Sequence, residues 1–161
     1  MATFFPTVPV EEAPREAHPH GPERLRPVVL IVDDEPIITE TLAAILNRNG
    51  LTAITAFDGL QALETALAIP PEILITDLAM PRMDGLELAV EVTRAIPDCE
   101  VILSSGHPSS FNLAERISAL GCDFAILMKP VHPTDLIDEV FRLLRKRNRA
   151  VSPPNLSAIP I

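Results

Sequence analysis

Asp33 and Asp34 follow directly on the apolar run VVLIV, Asp77 follows ILIT, Ser104 and Ser105 follow VIL, and Lys129 follows AILM. Polar groups that each close an aliphatic run sit at strand ends, where side chains from different strands can meet. Three carboxylates drawn together repel, each pair a few ångströms apart costing on the order of 4 kcal/mol at an effective dielectric of ~20. The cluster therefore requires a compensating cation. Its donors are all oxygen, which selects a hard divalent ion, and intracellular phosphate chemistry makes Mg²⁺ the first choice. A Mg²⁺ site with open water positions admits a phosphoryl group. The Lys129 ammonium and the Ser105 hydroxyl would then bind phosphoryl oxygens and leave one carboxylate to act as nucleophile. Asp77 is the expected nucleophile, because it stands between the acid pair on one side and the hydroxyl and lysine on the other.

Bringing these groups together takes a regular alternation of strands and helices. Val28 to Val32 is a continuous β-branched run with no polar face, as expected of a central strand covered on both sides. Pro36 suits a first helical turn and opens a helix to about Asn49, with Ile37, Ile38, Leu42, Ile45 and Leu46 at helical spacing and Gly50 as its stop. Thr52 to Ala56 is the second strand. Asp58 can cap a helix from Gly59 to Ile69, which Pro70 and Pro71 break. Ile73 to Thr76 is the third strand; after the loop LAMPRMDG a third helix runs to about Ile96. Val101 to Ser104, a helix from Ser109 or Ser110 to Leu120, Phe124 to Met128, and a helix from Pro133 to about Arg147 complete a (βα)5 series. Such short alternation demands parallel strands with right-handed crossovers and helices on both faces of an open sheet. Ligands bind such sheets at the carboxyl ends of the strands, where the strand order reverses. If the order is the 2-1-3-4-5 of one common doubly wound fold, strands one and three are neighbours there and the three aspartates converge.

The 161 residues suffice for one domain with tails, and 47% hydrophobic residues exclude disorder of the whole. Four acids and three arginines precede position 27, together with prolines at 6, 9, 14, 19 and 22, so residues 1–26 read as an extended, disordered arm of charge −1. Residues 142–161 carry five basic groups and no acid, and with a net charge of −9 for the chain this leaves −13 for 27–141. A body so acidic argues against nucleic acid as its direct partner. Its only lysine is Lys129. No apolar run approaches the ~20 residues that span a bilayer and the N-terminus lacks the pattern of a secretory signal, so no membrane partner and a cytoplasmic location are expected. Cys99 and Cys122 fall in no metal-ligand pattern and read as small, reduced, semi-buried side chains.

Asp33-Asp34-Glu35-Pro36 after VVLIV, Asp77-Leu78-Ala79-Met80-Pro81-Arg82-Met83-Asp84-Gly85, Leu103-Ser104-Ser105-Gly106-His107 and Met128-Lys129-Pro130 together resemble the receiver domain of two-component response regulators. The resemblance covers roughly Pro27 to Arg147 and implies a flavodoxin-like fold of order 2-1-3-4-5. It further implies that Asp77 is phosphorylated, that Asp33 and Asp34 hold Mg²⁺ with Asp77 and the backbone carbonyl of Ala79, and that Lys129 pairs with the phosphate. Ser105, which precedes the small Gly106, takes the role of the family's switch hydroxyl, and Lys129-Pro130 matches a bond that is usually cis. One departure is Ile126, where the family often has Tyr or Phe three residues before the lysine.

Several neighbours of these residues read more simply as structure. Glu35 is a helix-start charge, Asp84-Gly85 is turn and cap chemistry, Met80 and Met83 pack, and His18, His20, His107 and His132 are surface or cap residues. The basic stretch 142–149 complements a helix C-terminus. Taken together, the domains are expected at 1–26, 27–148 and 149–161, with nothing after Arg149 long enough for an output domain. The leading reading is a single-domain response regulator, not an enzyme, and a monomer or weak dimer. It would take phosphate from a histidine kinase or phosphotransfer protein onto Asp77 and signal by docking to another protein. Two competitors are a phosphorylation-independent interaction module and a magnesium phosphohydrolase; the latter expects a carboxylate two residues after its nucleophile, where this chain has Ala79.

Overall fold

The structure, a computed structural model, describes residues 25–106 and 110–151. Residues 1–24 of the expected N-terminal arm, His107, Ser109 and residues 152–161 of the expected C-terminal tail lie outside the described residues, whereas 149–151, expected in the tail, belong to α5. Five strands and five helices alternate: β1 (Val28–Val32), α1 (Pro36–Arg48), β2 (Thr52–Ala56), α2 (Gly59–Ala68), β3 (Ile73–Asp77), α3 (Gly85–Ala95), β4 (Glu100–Ser105), α4 (Ser110–Ala119), β5 (Ala125–Met128) and α5 (Pro133–Val151). All strand pairs are parallel and the sheet order is β2-β1-β3-β4-β5.

The sequence of each strand fits its place in that order. β3 is buried throughout and β1 from Val29 onward, as their unbroken apolar runs require, whereas β2 and β5 stand at the two edges and are only partly covered. Side-chain alternation then divides the core. On one face Leu30, Leu74, Val101 and Leu103 pack with Ala62 and Ala66 of α2, Leu86, Ala89 and Val92 of α3, and Leu113 and Ile117 of α4. On the other, Val29, Ile31, Ile73, Ile75 and Ile102 pack with Leu46 of α1 and with Leu136, Val140 and Leu143 of α5.

Element ends differ from expectation by a residue or two, with one larger difference. α5 continues to Val151, a turn beyond Arg147: Lys146 lies along the body with its ammonium near Glu100 and Asp123, Arg147 lines the same recess, and no Pro or Gly stops the helix before Pro153. β3 and β4 each run one residue beyond their expected ends, to Asp77 and Ser105, so these two site residues belong to the sheet itself.

Helix starts follow the capping chemistry read from sequence. The Asp58 carboxylate accepts from the Gln61 N–H at 2.8 Å. Asp84 forms a complete capping box: its carboxylate accepts from the N–H groups of Leu86 and Glu87, and the Glu87 carboxylate accepts from the Asp84 N–H. Replacing Asp84 by Ala leaves both helical N–H groups without that acceptor. We expect Asp84→Ala to lose about 1 kcal/mol of stability and Asp84→Asn distinctly less, read as urea unfolding midpoints.

Candidate functional site

β1 and β3 lie side by side at the centre of the sheet, and the segments that leave their carboxyl ends diverge to α1 on one face and α3 on the other. The crevice between them holds the acids. Asp33 is fixed from two sides: its N–H donates to the Ala56 carbonyl at 3.3 Å, and its Oδ1 accepts from the Glu35 N–H at 2.9 Å. Glu35 is thus the N-cap residue of α1, with no capping bond from its own side chain. Asp33 and Asp77 are buried and Asp34 is exposed, and one carboxylate oxygen from each of the three lies within 4.8 Å of the others.

Lys129 reaches this cluster from the far edge of the sheet. Its N–H donates to the Ser105 carbonyl at 2.8 Å, which ties the end of β5 to the end of β4. The Nζ then lies 3.2 Å from Asp33 Oδ2 and 3.1 Å from Asp77 Oδ1. Burial disfavours the ammonium, but the hydrogen bond and charge of Asp77, followed by those of Asp33, outweigh it and hold the Lys129 pKa above its ordinary value. A raised pKa means that this pairing contributes fully to stability below the ordinary lysine pKa and loses that contribution only as pH rises through the higher folded value. Ser105 is buried at the end of β4, and the Lys129-Pro130 peptide is cis.

The loop from Asp77 to α3 holds Asp77 by its main chain. The Leu78 N–H donates to the Ser104 carbonyl and the Gly85 N–H to the Leu78 carbonyl, each at 2.9 Å, which folds the loop back over the end of β3. Between them Arg82 has φ 70°, and the Met83 N–H donates to the Pro81 carbonyl at 2.9 Å, making a tight γ-turn of the strained, positive-φ kind. Met80 is buried and Met83 half-buried in the core, as their packing role requires.

Sequence reasoning missed one residue here. Gly85 reads as a turn glycine, yet a Cβ on it would collide with the backbone carbonyl of Asp77. An Asp-Gly before a helix signals only the cap; the close approach depends on the loop's return path, which no local pattern encodes. A second feature without a sequence signal is a recess of about 500 Å³ behind Lys129, between α1 and α5, whose apolar wall includes Ile38, Leu42, Leu127 and Leu136. Ile126, which replaces an aromatic, is half-buried against the α2–α4 face of the core with Phe124.

This donor set fits a hard divalent cation: three carboxylates, all oxygen, at spacings a single ion can bridge. A parallel sheet with acids at its switch point, reached by a lysine from the end of the edge strand β5, belongs to the class of doubly wound domains that bind ligands at the carboxyl ends of their strands. Comparison with known proteins narrows the class. The family model for the response regulator receiver domain matches residues 29–141. Response regulator MprA of Mycobacterium ulcerans is 33% identical over 120 residues, which is 73% of this chain and 50% of that protein. The chain thus spans about half the length of the curated relatives it matches. Among solved structures, the two component transcriptional regulator AraC from Clostridium phytofermentans superimposes with a TM-score of 0.72 at 32% identity, covering 79% of this chain and 99% of that one. A CheY-like receiver domain protein from Methanospirillum hungatei gives 0.72 at 27%, covering 78% and 99%.

The chain belongs to the response regulator receiver domain family. It is a receiver domain of two-component signalling, and such domains are phosphoacceptors rather than enzymes in the usual sense, bind Mg²⁺ at an acidic pocket and work with histidine kinases or phosphotransfer proteins. No helix among the described residues is long and apolar enough to cross a membrane.

Two substitutions test the site's construction. Gly85→Ala should lose about 1–3 kcal/mol, because the added methyl must displace the Asp77 main chain, whereas Gly106→Ala, whose Cβ would meet Lys129 at 3.8 Å among the described residues, should be close to neutral in the same unfolding titration. Lys129→Met leaves Asp33 and Asp77 facing each other without their cation. In chelator it should lose about 1–3 kcal/mol, and Mg²⁺ should raise its unfolding midpoint more than the parent's.

Proposed function

We propose that this chain accepts a phosphoryl group on Asp77 from the phosphohistidine of a histidine kinase or phosphotransfer protein, and that the phosphorylated form signals by docking to another protein. The observation that carries this reading is the single ammonium of Lys129 shared between Asp33 and Asp77 at the switch point of the sheet. In this reading a carboxylate oxygen of Asp77 attacks phosphorus, the phosphorus–nitrogen bond breaks, and the electron pair returns to the imidazole. Asp33 and Asp34, with Asp77 and the main-chain carbonyl of Ala79, would hold Mg²⁺, which supplies positive charge to the transferring oxygens when bound. Lys129 then exchanges its carboxylate partner on Asp77 for a phosphoryl oxygen. Ser105, buried beside it, donates its hydroxyl to another. Because Lys129 already touches Asp77, the transferred group arrives where a positive charge is in place, and little reorganisation is needed.

Asp77→Asn keeps the volume and removes one repelling charge, so it should fold with at least the parent's stability in chelator. Incubated with acetyl phosphate and Mg²⁺, the parent should gain the mass of one phosphoryl group, labile to hydroxylamine, and the variant none. Equal labelling of the two proteins would move the acceptor elsewhere.

A further inference from the structure

Below the site, just before the amino ends of β4 and β5, lie two residues that the phosphoacceptor chemistry does not use, Cys99 and Cys122. β4 and β5 pair with an offset of 23, from Ile102 with Ala125 to Ser105 with Met128. Carried three residues back, the same offset sets Cys99 opposite Cys122. Two independent observations support the extension. Side-chain alternation persists through it: Cys99, Val101 and Leu103 pack into the same side of the core as Cys122, Phe124 and Ile126, whereas Ile102, Ala125 and Leu127 pack into the other. On that other side, Lys146 of α5 reaches both Glu100 at 3.5 Å and Asp123 at 3.2 Å, and these residues also differ by 23. One ammonium therefore clamps together the two positions that immediately follow the cysteines.

We propose that Cys99 and Cys122 are a thiol pair that oxidises to a reversible intramolecular disulfide tying the start of β4 to the start of β5. Neighbouring strands lie about 4.8 Å apart, within the roughly 4.4–6.8 Å that separates Cα atoms across a disulfide. Both cysteines line one recess of about 330 Å³, together with Thr93, Phe124 and Ala150. In the reduced protein each thiol turns to main chain, Cys99 Sγ to the Glu100 carbonyl at 3.5 Å and Cys122 Sγ to the Leu120 carbonyl at 3.7 Å, and the two N–H groups donate to the Ile96 and Ile117 carbonyls, so bond formation requires both side chains to turn toward each other from the ends of α3 and α4.

The two thiols have different roles. Cys122 is half-buried and meets the oxidant; Cys99 is 5% exposed, and burial pushes its pKa up to about 12. With a low-molecular-weight disulfide such as oxidised glutathione, the Cys122 thiolate attacks one sulfur and expels a glutathione thiolate, giving a mixed disulfide. The Cys99 thiol, on losing its proton, then attacks the Cys122 sulfur and expels the second glutathione thiolate. Two protein thiols and one glutathione disulfide become one protein disulfide and two glutathiones. The second step is the slow one, since little Cys99 is thiolate at neutral pH.

The full chain is incubated with oxidised glutathione, unfolded, alkylated with iodoacetamide and weighed intact. We expect a monomeric product two hydrogens lighter than the parent that takes up no alkyl group and returns to two alkylated thiols after dithiothreitol. Its urea midpoint should rise, because the bond closes a loop in the unfolded chain. Cys99→Ser should stop at the mixed disulfide, Cys122→Ser should remain unmodified while folded, and Lys146→Met should slow ring closure several-fold. A final product in which Cys99 is still alkylated, a disulfide-linked dimer on a non-reducing gel, or two unreacted thiols would each overturn the pairing. Labelling of Asp77 by acetyl phosphate is a separate readout at the opposite end of the sheet, so failure here leaves that assignment standing.

Discussion

Carboxylates repel, and this fold gathers three of them at one point. Asp33 and Asp34 come from the end of β1 and Asp77 from the end of β3, strands that are neighbours only because the order of the sheet reverses between them. A sheet wound continuously in one direction would have put another strand between the two ends. The central pairing of β1 with β3 rests on buried aliphatic side chains on both faces, and that apolar contact holds the charges together against their repulsion. Lys129, the only lysine of residues 27–141, offsets part of what remains, reaching across the end of β4 from β5, whose end is tied to Ser105.

The same constraint accounts for how little freedom the surrounding main chain has. Asp33 is tied to β2 through Ala56 and to α1 through Glu35, and Asp77 is backed by Gly85 so closely that no side chain fits between them. The strained turn at Arg82 lies in the loop that delivers Gly85 to this position, so its strain is matched by the capping box and the Leu78–Gly85 hydrogen bond that follow it. A carboxylate that must receive a group in line gains from such rigidity, because position is the main lever in phosphoryl transfer.

The fold is legible in the chain because its signals are local and repeated. VVLIV and ILIT are strands with no polar face; Asp58 and Asp84 cap, Pro70, Pro71 and Gly50 stop, and four of the five strands, all but β2, end at or just before a polar residue. The strand order is not local in this sense, and follows from the common order of such folds. Asp33, Asp34, Asp77 and Lys129 are legible as neighbours, since a charged residue that closes a buried apolar run must sit at the rim of the sheet, where the strand ends meet water. Contacts made at a distance leave no such trace. Gly85 against the Asp77 carbonyl and the apolar recess behind Lys129 depend on how loops and helices settle after the sheet has formed. The extra turn of α5 is of this kind too: a basic stretch is compatible with helix or tail, and packing along the body decides for helix.

α5 begins at Pro133, four residues after Lys129 at the acidic end of the sheet, and runs to Val151 at the opposite end, carrying Arg142, Arg145, Lys146, Arg147 and Arg149 in its second half. At 1.5 Å per residue that helix spans about 28 Å, so its basic half, partly neutralised by Glu139, Glu100 and Asp123, lies far from the acidic phosphoacceptor crevice. A molecule built in this way is turned by the field of an approaching charged body before any surfaces touch. A body with a basic face will meet the crevice more often than random collision allows. With a screening length of about 8 Å at physiological salt, that selection operates only in the last few ångströms of approach and fades as salt rises. Encounter rate, as distinct from the strength of the final complex, is thus set by where the acids of the crevice lie relative to the charges at the far end.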